Sequence, residues 1–236
     1  MYSASAAHYD RIYSSFKDYA AEAQALADLL RAGGRRTRTV LDVACGTGAH
    51  AAALTETHGF AVDGVDLDPA LLAIAAAKCP RGRFFQADMT DMHLGRTFDA
   101  VLCLFGSIAY AAVLPKLRTA LACLREHVDP GGLVIVEPFL TPDRFVAGHT
   151  NSITAESDGV RVTRRNRSER DGTLCRLNFD YVIEGPGGTE YATEVHEVGL
   201  FSVDEILESF TAAGMTATYD PHGPAGRGLY VASIAA

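Results

Sequence analysis

The chain has 236 residues, enough for one large domain with a small cap, and 48% of them are hydrophobic against 21% charged, which predicts a well-packed core. The 29 Asp and Glu residues outnumber the 21 Lys and Arg residues, giving a net charge of -8. This acidity argues against binding to nucleic acid or to a membrane surface, because both need a basic face. No run approaches the length of a membrane span, and the N-terminal residues show no cationic region followed by an apolar stretch, so a cytoplasmic protein is predicted.

Cysteine and histidine spacing argues against disulfides and metals. The five cysteines are an odd number without C-x-x-C spacing, so we expect buried free thiols rather than a disulfide framework. The eight histidines show no H-E-x-x-H or related ligand spacing, and no metal site is predicted.

The first half of the chain alternates helical and strand patterns. An amphipathic helix over residues 18–31 stops at a glycine pair, and "TVLDVAC" then predicts a buried strand that leads into a glycine turn. A helix over about residues 50–57 and the strand "FAVDGVDLD" follow. Asp68 and Pro69 together predict the start of the next helix, because Asp favours the cap and Pro the first helical position.

Three further strands and one helix complete this alternation. "GRFFQADMTDM" and "FDAVLCLFGSIAY" predict the third and fourth strands, the fourth apolar throughout as in parallel sheets. The helix "LPKLRTALACLREHV" ends at "DPGG", and "GLVIVEP" predicts the fifth strand. Such alternation predicts an α/β, Rossmann-like, doubly wound and mainly parallel sheet that binds ligands at the carboxyl ends of its strands.

The pattern changes between residues 138 and 199. Alternating stretches such as "GVRVTRRNRSE" and "TLCRLNFDYVIE", separated by "RDG" and "GPGG", predict an inserted antiparallel sheet that caps the core. Ser202 and Glu205 form a capping box at the start of a helix, and two terminal strands form a hairpin that brings the main sheet to seven strands. We therefore predict a core of residues 1–137 and 200–236 with a lid of residues 138–199.

The loop "CGTGAHA" satisfies G-x-G-x-x-A, a spelling shared by several kinds of nucleotide site. Gly46 and Gly48 let the backbone approach a ligand closely, and the helix N-terminus behind them favours an electron-rich group. An NAD site would explain Gly46, Gly48, Ala51 and an acid about 20 residues on. No Tyr-x-x-x-Lys or similar hydride-transfer group follows the loop in the chain, however.

Three carboxylates decide between the candidate ligands. Asp42 lies inside the first strand, where a buried carboxylate needs a partner such as a ligand ammonium and would repel a pyrophosphate. Asp66 ends the second strand, placed to accept both ribose hydroxyls. Asp88 can accept an adenine amino group while Met89 packs on the ring. An amino-acid nucleoside fits this set better than NAD does.

Together, "LDVACGTG", "GVDLD" and "ADM" resemble the motifs of class I S-adenosylmethionine-dependent methyltransferases. This resemblance implies S-adenosyl-L-methionine as the cofactor. The cofactor-binding residues that it implies are Tyr9, Tyr19, Asp42, Ala44, Gly46, Gly48, Asp66, Leu67, Asp88, Met89 and Phe105.

Five further segments point to one group within these methyltransferases. In their order along the chain they resemble the nucleotide-sugar N,N-dimethyltransferases of antibiotic biosynthesis; the segments are "YDRIY", "FGSIAY", "VEPFLTPDRF", "EVHEVGLF" and "GPAGRGLYV". This family implies two successive methyl transfers to the amine of a dTDP-linked amino-deoxyhexose. It places Tyr2 near the amine and Tyr9 and Tyr19 on the cofactor. Tyr110 stands where family members carry a histidine near the amine, and we expect it to orient that amine in catalysis.

A nucleotide-sugar substrate needs cations around its pyrophosphate. Arg227 matches the family's phosphate-binding arginine, and Arg167 or Arg164 in "RVTRRNRSER" is expected to face the substrate as well, with Arg167 preferred. Glu137 is expected to hold the ammonium or a sugar hydroxyl, and His196 a phosphate or a hydroxyl. The inserted sheet also offers an extra surface for a homodimer.

Two other functions compete with this interpretation. An N-methyltransferase of a small, non-phosphorylated amine, such as a glycine-type enzyme, would share the sheet and a similar lid but would not depend on Arg227. A non-catalytic nucleotide sensor would bind the ligands without any gain in product mass.

Overall fold

The computed structural model describes residues 5–33, 36–224 and 226–234. Two sheets and the helices that flank them make up this part of the chain. Its α-helices are α1 (Tyr9–Tyr13), α2 (Tyr19–Ala32), α3 (Ala49–His58), α4 (Pro69–Lys78), α5 (Leu114–Glu126) and α6 (Val203–Ala212). Its strands are β1 (Thr39–Val43), β2 (Ala61–Asp66), β3 (Phe84–Gln86), β4 (Phe98–Cys103), β5 (Val128–Val136), β6 (Thr150–Ser157), β7 (Val160–Asp171), β8 (Leu174–Gly185), β9 (Gly188–Gly199), β10 (Thr216–Asp220) and β11 (Leu229–Ser233).

The larger sheet has seven strands in the order β10-β11-β5-β4-β1-β2-β3. Strands β1 to β5 pair with one another in parallel, and the hairpin of β10 and β11 joins β5 in antiparallel orientation. Leucines of α2 and α3 pack on one face of this sheet, and α5 and α6 pack on the other. This confirms the predicted doubly wound, mainly parallel seven-stranded sheet.

Local capping fixes where several helices begin, as the sequence predicts. Asp68 accepts a hydrogen bond from the Ala70 N–H at 2.9 Å, so α4 begins at Pro69. At α6 the Ser202 hydroxyl accepts from the Glu205 N–H while the Glu205 carboxylate accepts from the Ser202 N–H. Both caps satisfy N–H groups that have no partner within the helix.

Strand β5 begins earlier than the sequence predicts. The "DPGG" stretch was expected to be a loop, yet Phe98 pairs with Val128 and Ala100 pairs with Leu133. Residues 129–132 therefore oppose the single residue Asp99 as a bulge within the pairing. The strand accommodates Pro130 here because a bulged residue needs no ladder hydrogen bond.

Strands β6 to β9 form a separate antiparallel sheet in that order, so the predicted antiparallel insertion is also confirmed. Strand β6 was not identified from the sequence. The inner face of this sheet packs Val162, Phe179 and Tyr181 against Ile12 of α1. The first helix therefore lies between the inserted sheet and the core, and that position sets the boundary of the cavity described below.

The five cysteines are free thiols, and four of them are buried. Among the described helices, none has both the length and the apolar character needed to cross a membrane.

Candidate functional site

A cavity of about 700 Å³ lies where the parallel strands end, and its size suits a ligand of nucleotide dimensions. The core contributes residues at the ends of β1 and β2 and after β4, including Ala44, Asp66 and Phe105. The inserted sheet contributes Arg164 and Phe179 from the opposite side. The cavity therefore joins the carboxyl edge of the main sheet to the inner face of the insertion.

The loop between β1 and α3 is held in left-handed backbone geometry. Gly46 has φ of 56° and Gly48 has φ of 70°, and the non-glycine residue Ala44 has φ of 57°. A side chain at Gly48 would come within 2.9 Å of the Ala75 Cβ, so glycine also allows α3 to approach α4. Such strained residues concentrate at ligand sites, because the loop must present its backbone to a bound group.

Asp66 holds this loop in place. One carboxylate oxygen accepts from the Gly46 N–H at 2.8 Å and the other from the Asp68 N–H at 2.9 Å. Burial raises the pKa of Asp66, although the hydrogen bonds from Asp68 and Gly46 oppose that shift. Each oxygen keeps a second lone pair, so the carboxylate can still accept from a ligand hydroxyl.

Asp42 is a buried carboxylate in need of a partner. Asp42 is 2% exposed, its Oδ2 atom has no hydrogen-bond partner among the residues that the structure describes, and it lines a small pocket of about 30 Å³. Burial raises the pKa of Asp42 to about 6. Tyr9, Ala44 and Phe105 line both this pocket and the large cavity, so the two are adjacent. A ligand cation here would compensate the buried charge.

The N-terminal segment borders the cavity and makes contacts on both sides of it. Asp10 of α1 accepts from Thr47 in the glycine loop and pairs with the Lys78 Nζ at 2.7 Å. Arg11 donates to the Ser157 hydroxyl in the inserted sheet at 2.7 Å. Because α1 is tied to the core and to the insertion, its Tyr9 and Tyr13 side chains form a fixed part of the cavity wall.

Most of the predicted cofactor residues lie around this space. The Tyr9 phenol faces Gly46, and burial raises its pKa well above the usual value. Tyr19 begins α2, lines the small pocket, and has a pKa raised by burial. Ala44, Leu67, Met89 and Phe105 line the large cavity. Asp88 lies outside the lining; its side chain is exposed and accepts from the Thr90 N–H at 2.8 Å.

The expectation that Arg167 faces the substrate is wrong. Its side chain is 65% exposed and paired with Glu169, because the odd-numbered residues of this part of β7 point away from the core. Arg164 faces inward instead and is 6% exposed. It donates to the Tyr13 hydroxyl at 2.9 Å, and its guanidinium lies 4.8 Å from the centre of the Phe179 ring.

Arg164 therefore places a second buried charge, of positive sign, in the cavity wall. In the described part of the chain, its Nε atom has no hydrogen-bond partner and no carboxylate lies within ion-pair distance of its guanidinium. Arg227 lines the same cavity, half-buried, with its guanidinium 4.5 Å from the Phe105 ring centre. Both positions match the placement expected for groups that bind an anion.

Two other predicted substrate residues do not line the cavity. Glu137 is 4% exposed; its Oε2 accepts from the Phe105 N–H at 2.7 Å and so supports the loop after β4, while its Oε1 has no hydrogen-bond partner among the described residues. His196 is 1% exposed, and its Nδ1 lies 2.8 Å from the Tyr110 hydroxyl. Tyr110 does line the cavity, so His196 contacts it from behind and does not reach a ligand directly. Tyr2 lies outside the described residues.

Sequence reasoning passed over several residues of the site. Lys17 is 4% exposed, binds Glu22 at 2.8 Å and lies 3.9 Å from the Phe105 ring centre. Tyr13 lines the cavity and receives the Arg164 hydrogen bond. The sequence of β7 did contain a signal for the inward face. Val160, Val162 and Arg164 are alternate residues, so they lie on the same face, and the two valines predict that this face is the buried one.

Comparisons with known proteins agree on the kind of site. Residues 40–132 match a family described as "Methyltransferase domain". A dTDP-3-amino-3,4,6-trideoxy-alpha-D-glucopyranose N,N-dimethyltransferase of Streptomyces venezuelae is 39% identical, over 94% of each chain. A dTDP-3-amino-3,6-dideoxy-alpha-D-glucopyranose N,N-dimethyltransferase of Streptomyces fradiae is 40% identical, over 91% of this chain and 84% of that one. The crystal structure of Streptomyces venezuelae DesVI superposes with a TM-score of 0.89 at 38% identity, over 97% of this chain and 98% of that one.

Proposed function

This chain belongs to the dTDP-aminosugar N,N-dimethyltransferase family, and we propose that it methylates the amino group of a dTDP-linked amino-deoxyhexose twice in succession. The observation that carries the proposal is two buried charged groups of opposite sign that line the two pockets, each with an atom that has no hydrogen-bond partner among the described residues. The Asp42 carboxylate lies in the pocket next to the glycine loop, and the Arg164 guanidinium lies in the cavity wall of the insertion. One fits the ammonium of the cofactor and the other an anionic substrate.

The cofactor is S-adenosylmethionine, which supplies, when bound, an electrophilic methyl group on a sulfonium centre. The residues present fit it, because Asp42 lacks a partner for its Oδ2 and a ligand ammonium would provide one. Asp66 is placed for ribose hydroxyls, and Met89 and Leu67 offer apolar surface for the adenine. The glycine loop presents its backbone between these groups.

The acceptor half of the cavity is suited to phosphate. Arg164 and Arg227 both line it, and a planar guanidinium can bind two phosphate oxygens at once. Arg164 is the stronger of the two candidates, because a buried ion pair is screened far less by solvent. In this proposal, residues 138–199 form the substrate lid over a core of residues 1–137 and 200–236.

The protein's contribution to the reaction is mainly positioning. Holding the amine against the transferable methyl group converts a bimolecular step into an effectively unimolecular one. Tyr110 borders the cavity and orients the amine through its hydroxyl oxygen. Helix α1 excludes water by its contacts with both the core and the insertion. The acceptor must also be a neutral amine at the moment of attack, since an ammonium has no lone pair.

Cofactor affinity should fall as the pH drops below about 6. Burial raises the pKa of Asp42 to about 6 in the free protein, and a bound ammonium would lower it because that charge favours the ionised carboxylate. Binding below pH 6 must then release a proton, which weakens affinity by about tenfold between pH 7 and pH 5. Calorimetric titration with S-adenosylhomocysteine measures this. Equal affinity at both pH values, or the same loss in Asp42→Asn, would contradict the assignment.

The substrate is tested by supplying S-adenosylmethionine with paired 3-amino and 4-amino dTDP-sugars and following product mass. We expect one of them to gain a first and then a second methyl group. Arg227→Ala should raise the KM for that sugar by roughly tenfold, the scale of a partly exposed phosphate contact. It should leave the KM of a non-phosphorylated amine unchanged.

Two outcomes would replace the proposed substrate. Methylation of a free amine, with no preference for the dTDP-sugar, would favour the glycine-type alternative. Binding of both ligands without any mass gain would favour a nucleotide sensor. The cytoplasmic location and the homodimer stay predictions, and light scattering of the purified protein tests the latter.

A further inference from the structure

A row of three aromatic rings lies along the cavity wall. The ring centres of Phe105 and Tyr13 are 5.3 Å apart, and those of Tyr13 and Phe16 are 5.6 Å apart. All three side chains line the cavity. Tyr13 is 5% exposed, whereas Phe16 is 50% exposed. The row therefore ends in an aromatic face that is open to solvent.

The backbone that carries Phe16 is held on both sides. The Phe16 N–H donates to the Tyr13 carbonyl at 3.2 Å. The next residue, Lys17, donates to both carboxylate oxygens of Glu22 at 2.8 Å and lies 3.9 Å from the Phe105 ring centre. The exposed ring thus belongs to an ordered connection between α1 and α2, and a ligand that contacts it has little chain entropy to overcome.

Two arginines lie beside this row of rings. The Arg227 guanidinium is 4.5 Å from the Phe105 ring centre, and the Arg164 guanidinium is 5.1 Å from the Tyr13 ring centre. In the proposed function these two arginines bind the pyrophosphate of the substrate. A pyrophosphate between them lies along the row, and Phe16 is then the next aromatic ring toward solvent.

The covalent structure of a nucleotide sugar determines which part of it reaches Phe16. The sugar is joined to one end of the pyrophosphate and the nucleoside to the other. The amine of the sugar must lie at the cofactor end of the cavity, because the methyl group is transferred there. The nucleoside therefore extends from the pyrophosphate toward the exposed end of the row, where an aromatic side chain can stack on the face of its base.

We propose that Phe16 is the stacking platform for the nucleobase of the substrate. This inference rests on the proposed function. A single exposed aromatic residue is ordinary on a protein surface, but this one lines the cavity next to the proposed phosphate site. Every base has a π face, so stacking on Phe16 contributes affinity for the nucleotide and does not select among bases.

The position of the base is tested by fluorescence, because the chain contains no tryptophan. Phe16→Trp places a single indole at the site, and we expect dTDP to quench its emission by stacking. Inorganic pyrophosphate, which has no base, should leave the emission unchanged. Val146→Trp is the matched control, since Val146 also lines the cavity and is 66% exposed but lies between β5 and β6. Quenching by dTDP in Val146→Trp and not in Phe16→Trp would overturn the platform.

The contribution of the ring is tested by calorimetric titration of Phe16→Ala. We expect the Kd for dTDP to rise by about tenfold, the scale of one stacked base, and the Kd for UDP to rise by the same factor. Phe16→Tyr keeps the ring and should keep the wild-type Kd. The affinity for S-adenosylhomocysteine should not change in either variant, because its adenine is assigned to Leu67 and Met89. An equal loss for S-adenosylhomocysteine in a folded Phe16→Ala protein would overturn the platform.

The outcomes separate the platform from the proposed function. A wild-type enzyme that methylates a dTDP-aminosugar, with the same KM in Phe16→Ala, overturns the platform and leaves the proposed function intact. A wild-type protein that neither binds dTDP nor methylates an aminosugar overturns both. Binding of dTDP that depends on Phe16, without any methylation, overturns the proposed reaction and supports the platform. If Phe16→Ala does not fold, the fluorescence of Phe16→Trp decides.

Discussion

An Asp42→Asn variant should unfold at a higher temperature than the wild type at pH 8, and bind the cofactor about a hundredfold more weakly. These opposite effects have one cause, the ionised carboxylate that the free protein buries without a partner for Oδ2.

The gain in stability follows from the pKa of Asp42. Burial raises that pKa from 3.8 to about 6, so the folded protein binds this proton more tightly than the unfolded chain does. Wild-type stability therefore falls as the pH rises through this window, by up to about 3 kcal/mol for a shift of about two units. Asparagine lacks this titration. We expect a melting temperature higher by about 5 °C at pH 8, and a smaller difference at pH 4.

The loss of affinity follows from the same charge. Removing one partner of a buried, hydrogen-bonded ion pair costs about 2–5 kcal/mol of binding, or roughly a hundredfold in Kd. Differential scanning calorimetry and titration with S-adenosylhomocysteine measure the two effects.

Asp66→Asn is the matched comparison at the same site. Its carboxylate accepts from the Gly46 and Asp68 backbone, so this variant should lose stability as well as affinity. An Asp42→Asn protein that melts below the wild type and binds the cofactor normally would contradict the assignment of Asp42.

Sequence reasoning succeeded where local signals carry the structure. Two helix starts are determined by short segments of no more than four residues. One is Asp68 followed by Pro69, and the other is the capping box of Ser202 and Glu205. The glycine loop and Asp66 likewise follow directly from the ends of adjacent strands. Residues at the carboxyl ends of parallel strands lie at one edge of the sheet, and this does not depend on the other elements of the fold. The core half of the cavity was therefore predictable from the sequence.

The acceptor half depends on contacts between distant parts of the chain. Alternation along β7 places Arg164 and Arg167 on opposite faces of the sheet. Which of these faces points inward is determined by the packing of Val162 against Ile12 of α1. His196 points inward as its alternation allows, yet Tyr110 lies between it and the cavity. The alternation of residues along a strand predicts which face of the sheet a side chain lies on. It does not predict whether another side chain lies between that residue and the cavity, and for this reason His196 was wrongly expected to contact the substrate.

Arg164→Met should raise the KM for the dTDP-sugar by about a hundredfold and leave the affinity for S-adenosylhomocysteine unchanged. The guanidinium is 6% exposed, lies between Tyr13 and Phe179, and has no described carboxylate as partner. Removing a buried cation that binds a phosphate costs about 2–5 kcal/mol of binding free energy. Methionine fills a similar volume among aromatic rings, so we expect no loss of stability.

Arg167→Met is the matched control on the same strand. Its side chain is exposed and paired with Glu169, and exposed pairs contribute about 0–1 kcal/mol, so its KM should stay within about twofold of wild type. The sharper comparison uses the same aminosugar with and without its nucleotide. Arg164→Met should lose kcat/KM only for the dTDP-linked form, because only that form has the pyrophosphate. An equal loss for both forms would mean that Arg164 shapes the cavity, and the phosphate would then have to lie at Arg227.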